Sequence, residues 1–301
     1  MSEQLKPGTL WHRVRQQTQL ALDCGALHSI PTEYELVEEE GIKFLVRIVA
    51  NLTRKDKAKQ EQERTSSVTG KDFNPFLPYE EDLFVADISP THVCLLNKYN
   101  VVDHHLLLVT REFAEQDDWL NEKDLEALWA CLEQIDGLAF YNGGTIAGAS
   151  QKHKHLQIVP LPLVPQGEAI PIASALDSAQ FTDGIGSVAS FPFRHALAKL
   201  NPNWVENPLQ AAPQILDCYH KLLSAVGLEV QGSKQTGAYN WLATREWMLV
   251  IPRSQASFAS IGVNSLGFAG TLLVRNVEQM QFLKSKGALE ILKQVAQPSK
   301  I

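Results

Sequence analysis

The feature of this sequence that most constrains its fold is the hexapeptide Lys-His-Lys-His-Leu-Gln at residues 152–157. Alternate residues of a β-strand point to the same side of a sheet, so a strand here places His153, His155 and Gln157 on one face. Leu156 then points to the opposite face, where an apolar side chain is typical of a core. The spacing therefore predicts a strand with one polar, chemically capable face and one packed face.

Two imidazoles and an amide in a row are suited to holding a phosphate group and attacking it. An unprotonated histidine nitrogen can bond covalently to phosphorus, which divides one difficult displacement into two easier ones. A backbone carbonyl can fix the required tautomer through the other ring nitrogen, and the Gln157 amide can donate to a phosphoryl oxygen. The alternatives are that His153 and His155 are structural residues or metal ligands. A zinc site would need a third ligand, and the sequence has no Cys-x-x-Cys or His-Glu-x-x-His motif.

The residues before this strand predict an anion-binding turn. A predicted strand at 138–142 is followed by a Gly-rich segment that ends in Gly148, Ala149, Ser150 and Gln151. Small side chains at such a turn let backbone N–H groups approach phosphate oxygens. We therefore expect this turn to hold phosphate beside the histidines.

The periodicity of the rest of the chain favours an α+β fold. Helical spacing of apolar residues and paired strand-like runs alternate along the chain. The predicted helices lie at 8–27, at 122–136 with its end at Gly137, and within 209–226 with a start at Pro213, and the predicted hairpins pair 83–88 with 92–96 and 239–243 with 247–251. Helices between groups of hairpins predict an antiparallel sheet with flanking helices.

Charge and composition limit the partners. The chain has 27 Lys and Arg against 34 Asp and Glu, a net charge of −7, so it lacks the basic excess typical of proteins that bind nucleic acid. No apolar run approaches the roughly 20 residues that cross a bilayer, and the N-terminus has no apolar signal segment. Four widely spaced cysteines indicate reduced core residues. We expect a cytoplasmic protein that binds a small molecule, but neither nucleic acid nor membrane.

The His-x-His-x-Gln pattern resembles the transferase branch of the histidine-triad superfamily. Within it, the chain is most similar to the diadenosine tetraphosphate phosphorylases, also called ATP adenylyltransferases. The similarity covers residues 42–275 in order and spacing. The matching blocks are 96–98, 101–102, 107–110, 140–144, 148–157, 239–240, 250–254 and 264–268. Uridylyltransferases of the same branch have proline where Lys154 stands, which disfavours that activity.

The resemblance implies a fold, a reaction and a set of residues. The fold is a HIT-like antiparallel sheet with flanking helices, elaborated by a C-terminal strand and helix region. In the reaction, inorganic phosphate cleaves diadenosine tetraphosphate to ATP and ADP. His155 is the implied nucleophile, while His153 supports the strand and Gln157 contacts the transferred group. The implied substrate-binding residues are Lys55, Asn97, Lys98, Asn142, Gly148, Ala149, Ser150, Gln151, Gln157, Asn264, Ser265, Leu266, Thr271 and Arg275.

The organisation expected from the resemblance is one catalytic unit over residues 1–301. Its N-terminal part, 8–162, carries the histidine strand; a connection at 163–206 leads to the C-terminal part, 207–301, which completes the nucleotide site. We expect a monomer with no obligatory cofactor and no dedicated metal site, although a divalent metal such as Mg²⁺ would assist with the polyphosphate. Two other functions stay open: a dinucleoside polyphosphate hydrolase and a non-catalytic nucleotide-binding protein.

Overall fold

A computed structural model of the chain describes residues 6–49 and 74–299. The helices are α1 (Leu10–Asp23), α2 (Glu122–Leu132), α3 (Ala173–Asp177), α4 (Pro208–Ala225), α5 (Ser265–Phe268), α6 (Val277–Lys286) and α7 (Ala288–Val295). The strands are β1 (Glu33–Glu39), β2 (Ile42–Ile48), β3 (Phe84–Asp87), β4 (His92–Leu96), β5 (Leu106–Thr110), β6 (Gly137–Gly143), β7 (His155–Pro160), β8 (Gln180–Thr182), β9 (Ile185–Ser187), β10 (Ala196–Lys199), β11 (Tyr239–Ala243), β12 (Trp247–Pro252), β13 (Ser257–Phe258), β14 (Ile261–Gly262) and β15 (Thr271–Val274).

The main body is a ten-stranded antiparallel sheet in the order β3-β4-β5-β7-β6-β11-β12-β10-β9-β8. The histidine strand, β7, lies inside this sheet between β5 and β6, with Val109 opposite His155 and Phe140 opposite Gln157. A central position fixes the direction of every β7 side chain, because both edges of the strand are paired. The predicted antiparallel α+β fold is confirmed.

A smaller sheet adds the C-terminal elaboration. Its order is β1-β2-β15, and β15 runs parallel to β2, with Thr271 opposite Leu45. Helices α6 and α7 pack against this sheet and against the main body through apolar residues that include Phe44, Met280 and Leu292. The sheet joins two strands from the N-terminal part to one from the C-terminal part, so the predicted C-terminal strand and helix region is part of one continuous structure.

The two faces of the main sheet cover different cores. One face, with Leu156 and Ile158 of β7, packs against α2 and α4. The other face, with Phe140 and Val159, packs against the smaller sheet and the C-terminal helices. The face that carries His155 and Gln157 is therefore partly covered by the C-terminal region.

Several predicted boundaries are wrong for identifiable reasons. Helix α2 ends at Leu132, and Gly137 begins β6 instead of ending the helix. Helix α4 begins at Pro208 with Asn207 as its N-cap, so Pro213 lies inside it. Cys24 is exposed, which contradicts its prediction as a core residue.

The segment 163–206, predicted as a connection, contains α3 and β8–β10. Strand β10 pairs with β12 and thereby extends the main sheet. Across residues 6–49 and 74–299, no helix has both the length and the apolar content that a bilayer crossing requires.

Candidate active site

The histidine strand has the predicted alternation. The rings of His153 and His155 both contact Phe76, at centroid distances of 5.7 and 5.4 Å, so they lie on the same side of the sheet. Leu156 is buried in the opposite core. Regular pairing of β7 begins only at His155, while His153 forms an isolated bridge with Glu115.

His155 has the state that a nucleophile requires. Its Nδ1 lies 2.8 Å from the carbonyl oxygen of His153 and must donate to it, which leaves the lone pair on Nε2. No described residue forms a hydrogen bond with Nε2. Burial lowers the pKa of His155 to about 4, so the imidazole is neutral at pH 7. A neutral ring with one fixed tautomer and one open nitrogen can attack phosphorus.

His153 is held by protein groups on both ring nitrogens. Nε2 lies 2.8 Å from the carbonyl oxygen of Thr110 and 2.9 Å from its Oγ1, and Nδ1 lies 3.0 Å from Nδ2 of Asn74. Burial lowers its pKa, although the hydrogen bond to the Thr110 carbonyl partly offsets this. With both nitrogens engaged, His153 fixes the start of the strand, and its own carbonyl fixes His155.

The opposite face of this strand contains a buried ion pair. Nζ of Lys154 donates to Oδ2 of Asp124 and to the carbonyl oxygen of Trp119, both at 2.6 Å. Oδ1 of Asp124 lies 3.1 Å from Nε2 of His92. Burial alone would raise the pKa of Asp124. The hydrogen bonds and charges of His92 and Lys154 lower it by more than burial raises it, so the net pKa is below its ordinary value. The carboxylate therefore stays ionised.

The amide of Gln157 is bound on one side only. Its Oε1 lies 3.0 Å from Nε2 of His105, and Nδ1 of His105 lies 3.2 Å from Nδ2 of Asn97. Nε2 of Gln157 has no hydrogen-bond partner within the described chain. The predicted substrate residue Lys98 forms an ion pair with Glu80, at 2.6 Å, so a polyphosphate would have to compete for it.

Asn142 is oriented by residues from the C-terminal region. Its Oδ1 accepts from Nδ2 of Asn240 at 2.9 Å and from the backbone N–H of Ser265 at 3.0 Å. Nη1 of Arg253 donates to Oδ1 of Asn240 at 2.6 Å, and an arginine can only donate. This order leaves Nδ2 of Asn142 as a donor without a partner in the described ranges. Ser265 is fully buried, and it contacts the Asn142 amide and helps to orient it.

The Gly-rich turn predicted before the histidine strand is present, and two of its N–H groups are open. The N–H groups of Gly148 and Ala149 donate to Thr145 and Gly144 within the turn, at 3.0 and 3.2 Å. Those of Ser150 and Gln151 make no hydrogen bond to any residue the structure describes. These two donors come just before residues 152–154, which lead into β7.

Gly148 brings this turn against the C-terminal region. It has a φ of +97°, and a Cβ there would lie 2.8 Å from Cβ of Asn264. The predicted residues Gly148 and Asn264 are therefore in close contact, although they are far apart in sequence. Oδ1 of Asn264 caps α5 by accepting from the backbone N–H of Leu266 at 3.1 Å.

The remaining predicted residues lie on β15, directly after it, or outside the described residues. Thr271 lies on β15, and its hydroxyl is buried without a hydrogen-bond partner among the described residues. Arg275 follows β15 and is exposed. Lys55 lies outside the described residues.

Gln116 is a site residue that sequence reasoning missed. Its Oε1 accepts from the backbone N–H of His155 at 2.8 Å, and its Nε2 donates to the carbonyl oxygens of Asn142 and His155 at 3.0 and 3.3 Å. The buried amide thus takes the place of direct pairing where β6 and β7 separate. Gln116 lies in an irregular segment, so periodicity gave no signal for it.

The family model described as "Ap4A phosphorylase N-terminal domain" matches residues 1–178, and "ATP adenylyltransferase C-terminal domain" matches residues 189–298. The chain belongs to the Ap4A phosphorylase family. This membership confirms the resemblance of the histidine strand and its flanking blocks, and it makes the protein a member of a nucleotidyltransferase family.

Two yeast proteins illustrate how far the family similarity extends. Protein APA1 of Saccharomyces cerevisiae is 28% identical over 94% of this chain and 92% of its own length. Diadenosine 5',5'''-P1,P4-tetraphosphate phosphorylase 2 of the same yeast is 30% identical over 70% of this chain and 71% of its own length.

Solved structures of yeast Ap4A phosphorylase Apa2 share the fold. One matches with a TM-score of 0.79 and 23% identity over 100% of this chain and 97% of its own. Another, described as a complex with Ap4A, matches with a TM-score of 0.77 and 23% identity over 100% of both chains.

Proposed function

We propose that this protein cleaves diadenosine tetraphosphate (Ap4A) with inorganic phosphate to ATP and ADP, through an adenylyl group carried by His155. Membership of the Ap4A phosphorylase family supports this substrate and reaction. The observation that most supports the covalent route is His155 itself, which is buried and neutral, with Nδ1 held by a carbonyl and Nε2 open.

In the first step, Nε2 of His155 attacks the α-phosphorus of one AMP moiety. The bond from that phosphorus to the bridging oxygen breaks, and ATP leaves. The adenylylated ring is cationic and still donates Nδ1–H to the His153 carbonyl, which stabilises the positive charge. The open N–H groups of Gln157 and Asn142 donate to the phosphoryl oxygens as negative charge increases there.

In the second step, an oxygen of inorganic phosphate attacks the same phosphorus. The phosphorus–nitrogen bond breaks, ADP leaves, and His155 returns to its neutral form. The open backbone N–H groups of Ser150 and Gln151 are suited to hold the incoming phosphate or the leaving polyphosphate. No other residue has to accept a proton from His155, because Nδ1 keeps its proton throughout the reaction.

The surroundings of the substrate complete the proposal. Lys55, Asn97, Lys98, Asn264, Leu266, Thr271 and Arg275 would contact nucleotide or polyphosphate. A divalent metal such as Mg²⁺ would arrive with the polyphosphate and shield its charge. The protein would act in the cytoplasm as a monomer without an obligatory cofactor.

Product analysis tests the proposal directly. The protein is incubated with Ap4A, with and without inorganic phosphate, and nucleotides are separated by ion exchange. We expect ATP and ADP in equal amounts, only when phosphate is present. ATP with AMP in the absence of phosphate would instead establish a hydrolase, and tight binding of Ap4A without turnover would establish a binding protein.

A further inference from the structure

A chain of four residues ends at the catalytic amide. The backbone N–H of Tyr99 lies 3.3 Å from Oδ1 of Asn97, Nδ2 of Asn97 lies 3.2 Å from Nδ1 of His105, and Nε2 of His105 lies 3.0 Å from Oε1 of Gln157. We call this the Tyr99–Gln157 chain. His105 and Gln157 are both buried, so the inner links are shielded from water.

The direction of every hydrogen bond in this chain follows from its first member. A backbone N–H can only donate, so the Asn97 oxygen faces Tyr99 and the Asn97 NH2 faces His105. Nδ1 of His105 must then accept, which places the ring proton on Nε2. That proton is donated to Oε1 of Gln157, and the Gln157 NH2 is left facing away from the chain.

We propose that His105 is a positioning residue that orients the Gln157 amide, so that the amide presents N–H donors and not its oxygen to the transferred phosphoryl group. The inference rests on the proposed function. A free amide can rotate by a half turn, because its oxygen and nitrogen ends have nearly the same shape. The rotated amide would direct a carbonyl oxygen at the anionic phosphoryl group and repel it.

The Asn142 amide is oriented separately, in the same sense. There the fixed donor is Arg253, which acts through Asn240. The amides of Gln157 and Asn142 thus both present N–H donors, although different residues orient them. Since this second arrangement does not include His105, it supplies an internal control.

A double-mutant cycle on turnover tests the inference. His105→Phe keeps a ring beside Phe140, whose centroid is 5.7 Å away, but removes the ring's hydrogen bonds to Asn97 and Gln157. We expect His105→Phe and Gln157→Ala each to lower kcat by about 10²-fold, the typical effect of losing one transition-state donor. Because His105 acts through Gln157, the double variant should be no slower than Gln157→Ala within about threefold.

Two variants separate positioning from a general structural effect. His105→Phe combined with Asn142→Ala should show multiplied losses, because the two amides are oriented independently. His105→Gln restores an N–H donor and should recover at least part of kcat, while KM for Ap4A changes little. Multiplied losses in the His105→Phe, Gln157→Ala double variant would overturn the proposal.

The ring tautomer provides a test that does not depend on activity. ¹⁵N NMR of the histidines in the free protein, with His105 assigned by its absence in His105→Phe, reports which nitrogen carries the proton. We expect the proton on Nε2. A proton on Nδ1 would contradict the chain even in a protein that cleaves Ap4A, whereas Nε2–H in a protein without Ap4A turnover would leave the chain intact and refute only the function.

Discussion

At the scale of single residues, burial and a fixed tautomer together suit His155 to the nucleophilic role proposed for it. Burial keeps the ring uncharged, and the His153 carbonyl decides which nitrogen is open. An exposed histidine would be partly protonated near neutral pH and would divide its proton between both nitrogens.

Replacement of His155 should separate binding from chemistry. We expect His155→Ala to reduce turnover below detection and leave the Kd for AMP within about threefold, because the other oriented donors remain. Mass spectrometry after incubation with Ap4A should show an adenylyl adduct on the wild-type protein alone. Turnover by His155→Ala at a rate near that of the wild type would exclude the covalent route.

The pH dependence of the first step should reflect the burial of His155. Its pKa is lowered to about 4 from an ordinary 6.5, so the reactive neutral form persists as the pH falls through 6.5 and is lost only near 4. Quenched-flow measurement of adenylylation without phosphate should therefore give a flat rate from about pH 8 to pH 5.5. A limb near 6.5 would show that the ring is solvated in the active protein.

Gln116 should affect catalysis without touching substrate. Gln116→Leu leaves the His155 N–H and the Asn142 carbonyl without this buried partner, which we expect to cost about 1–3 kcal/mol of unfolding free energy. It should also lower kcat by about 10-fold or more, because small displacements of a nucleophile are costly. Gln116→Glu keeps the acceptor for the His155 N–H but loses the donor to the Asn142 and His155 carbonyl oxygens, so it separates the two roles of the amide. Equal kcat for the wild type and Gln116→Leu would remove Gln116 from the site.

At the scale of elements, some segments could be predicted from sequence and others could not. Apolar alternation and helical spacing predict β7, α1 and the hairpins, because the pattern itself is what burial requires. Strand β1 has no alternation of buried and exposed residues, because it is rich in glutamate and most of its side chains are exposed. It forms through pairing with β2, an interaction that local sequence does not reveal.

The residues of the candidate site also include some that sequence patterns predict and some that they do not. The strand period predicts that His153, His155 and Gln157 share a face. Gln116 and His105 act through contacts with residues distant in sequence, and no spacing predicts those. The resemblance supplied Asn142 and Asn264. The structure shows Asn142 bonded to Ser265 of the C-terminal region, and Asn264 of that region close to Gly148 of the turn.

The contact between the Gly-rich turn and the C-terminal region should be sensitive to one methyl group. Gly148→Ala adds a Cβ at a φ of +97° and 2.8 Å from Cβ of Asn264, so the turn or Asn264 must move. We expect a raised KM for Ap4A and a lower melting temperature. Gly167→Ala has a nearly identical φ of +98° with no atom within 4 Å, so it isolates the backbone strain. Equal KM values for the two variants would contradict a role for this contact.

At the scale of the whole molecule, the main sheet crosses the boundary between the two family matches. Strand β6 lies in the first matched segment, and its residues 139–143 pair with β11, which lies in the second. Separation would expose β6, which is fully buried and largely apolar, as an unpaired edge.

The two matched segments should therefore not fold independently. We expect residues 1–178 and 189–298, expressed separately, to be insoluble or to lack a cooperative unfolding transition. Expressed together, they should form a complex that elutes as one species, because the pairing of β6 with β11 is again available. Circular dichroism and size-exclusion chromatography measure both outcomes. A soluble, cooperatively unfolding 1–178 segment would contradict this account.

The buried Lys154–Asp124 pair gives the histidine strand a property that apolar packing alone would not. Lys154, which leads into β7, places a charged group in one interior, and His155, the proposed nucleophile, lies at the other face. A slip of β7 by one residue would put Lys154 among the reacting groups and His155 in the apolar core, leaving Asp124 as an uncompensated charge. A misaligned pairing of this strand therefore carries two free-energy costs, one from the misplaced side chains and one from the unpaired Asp124. The buried ion pair, which takes no part in the proposed reaction, thus favours the correct register.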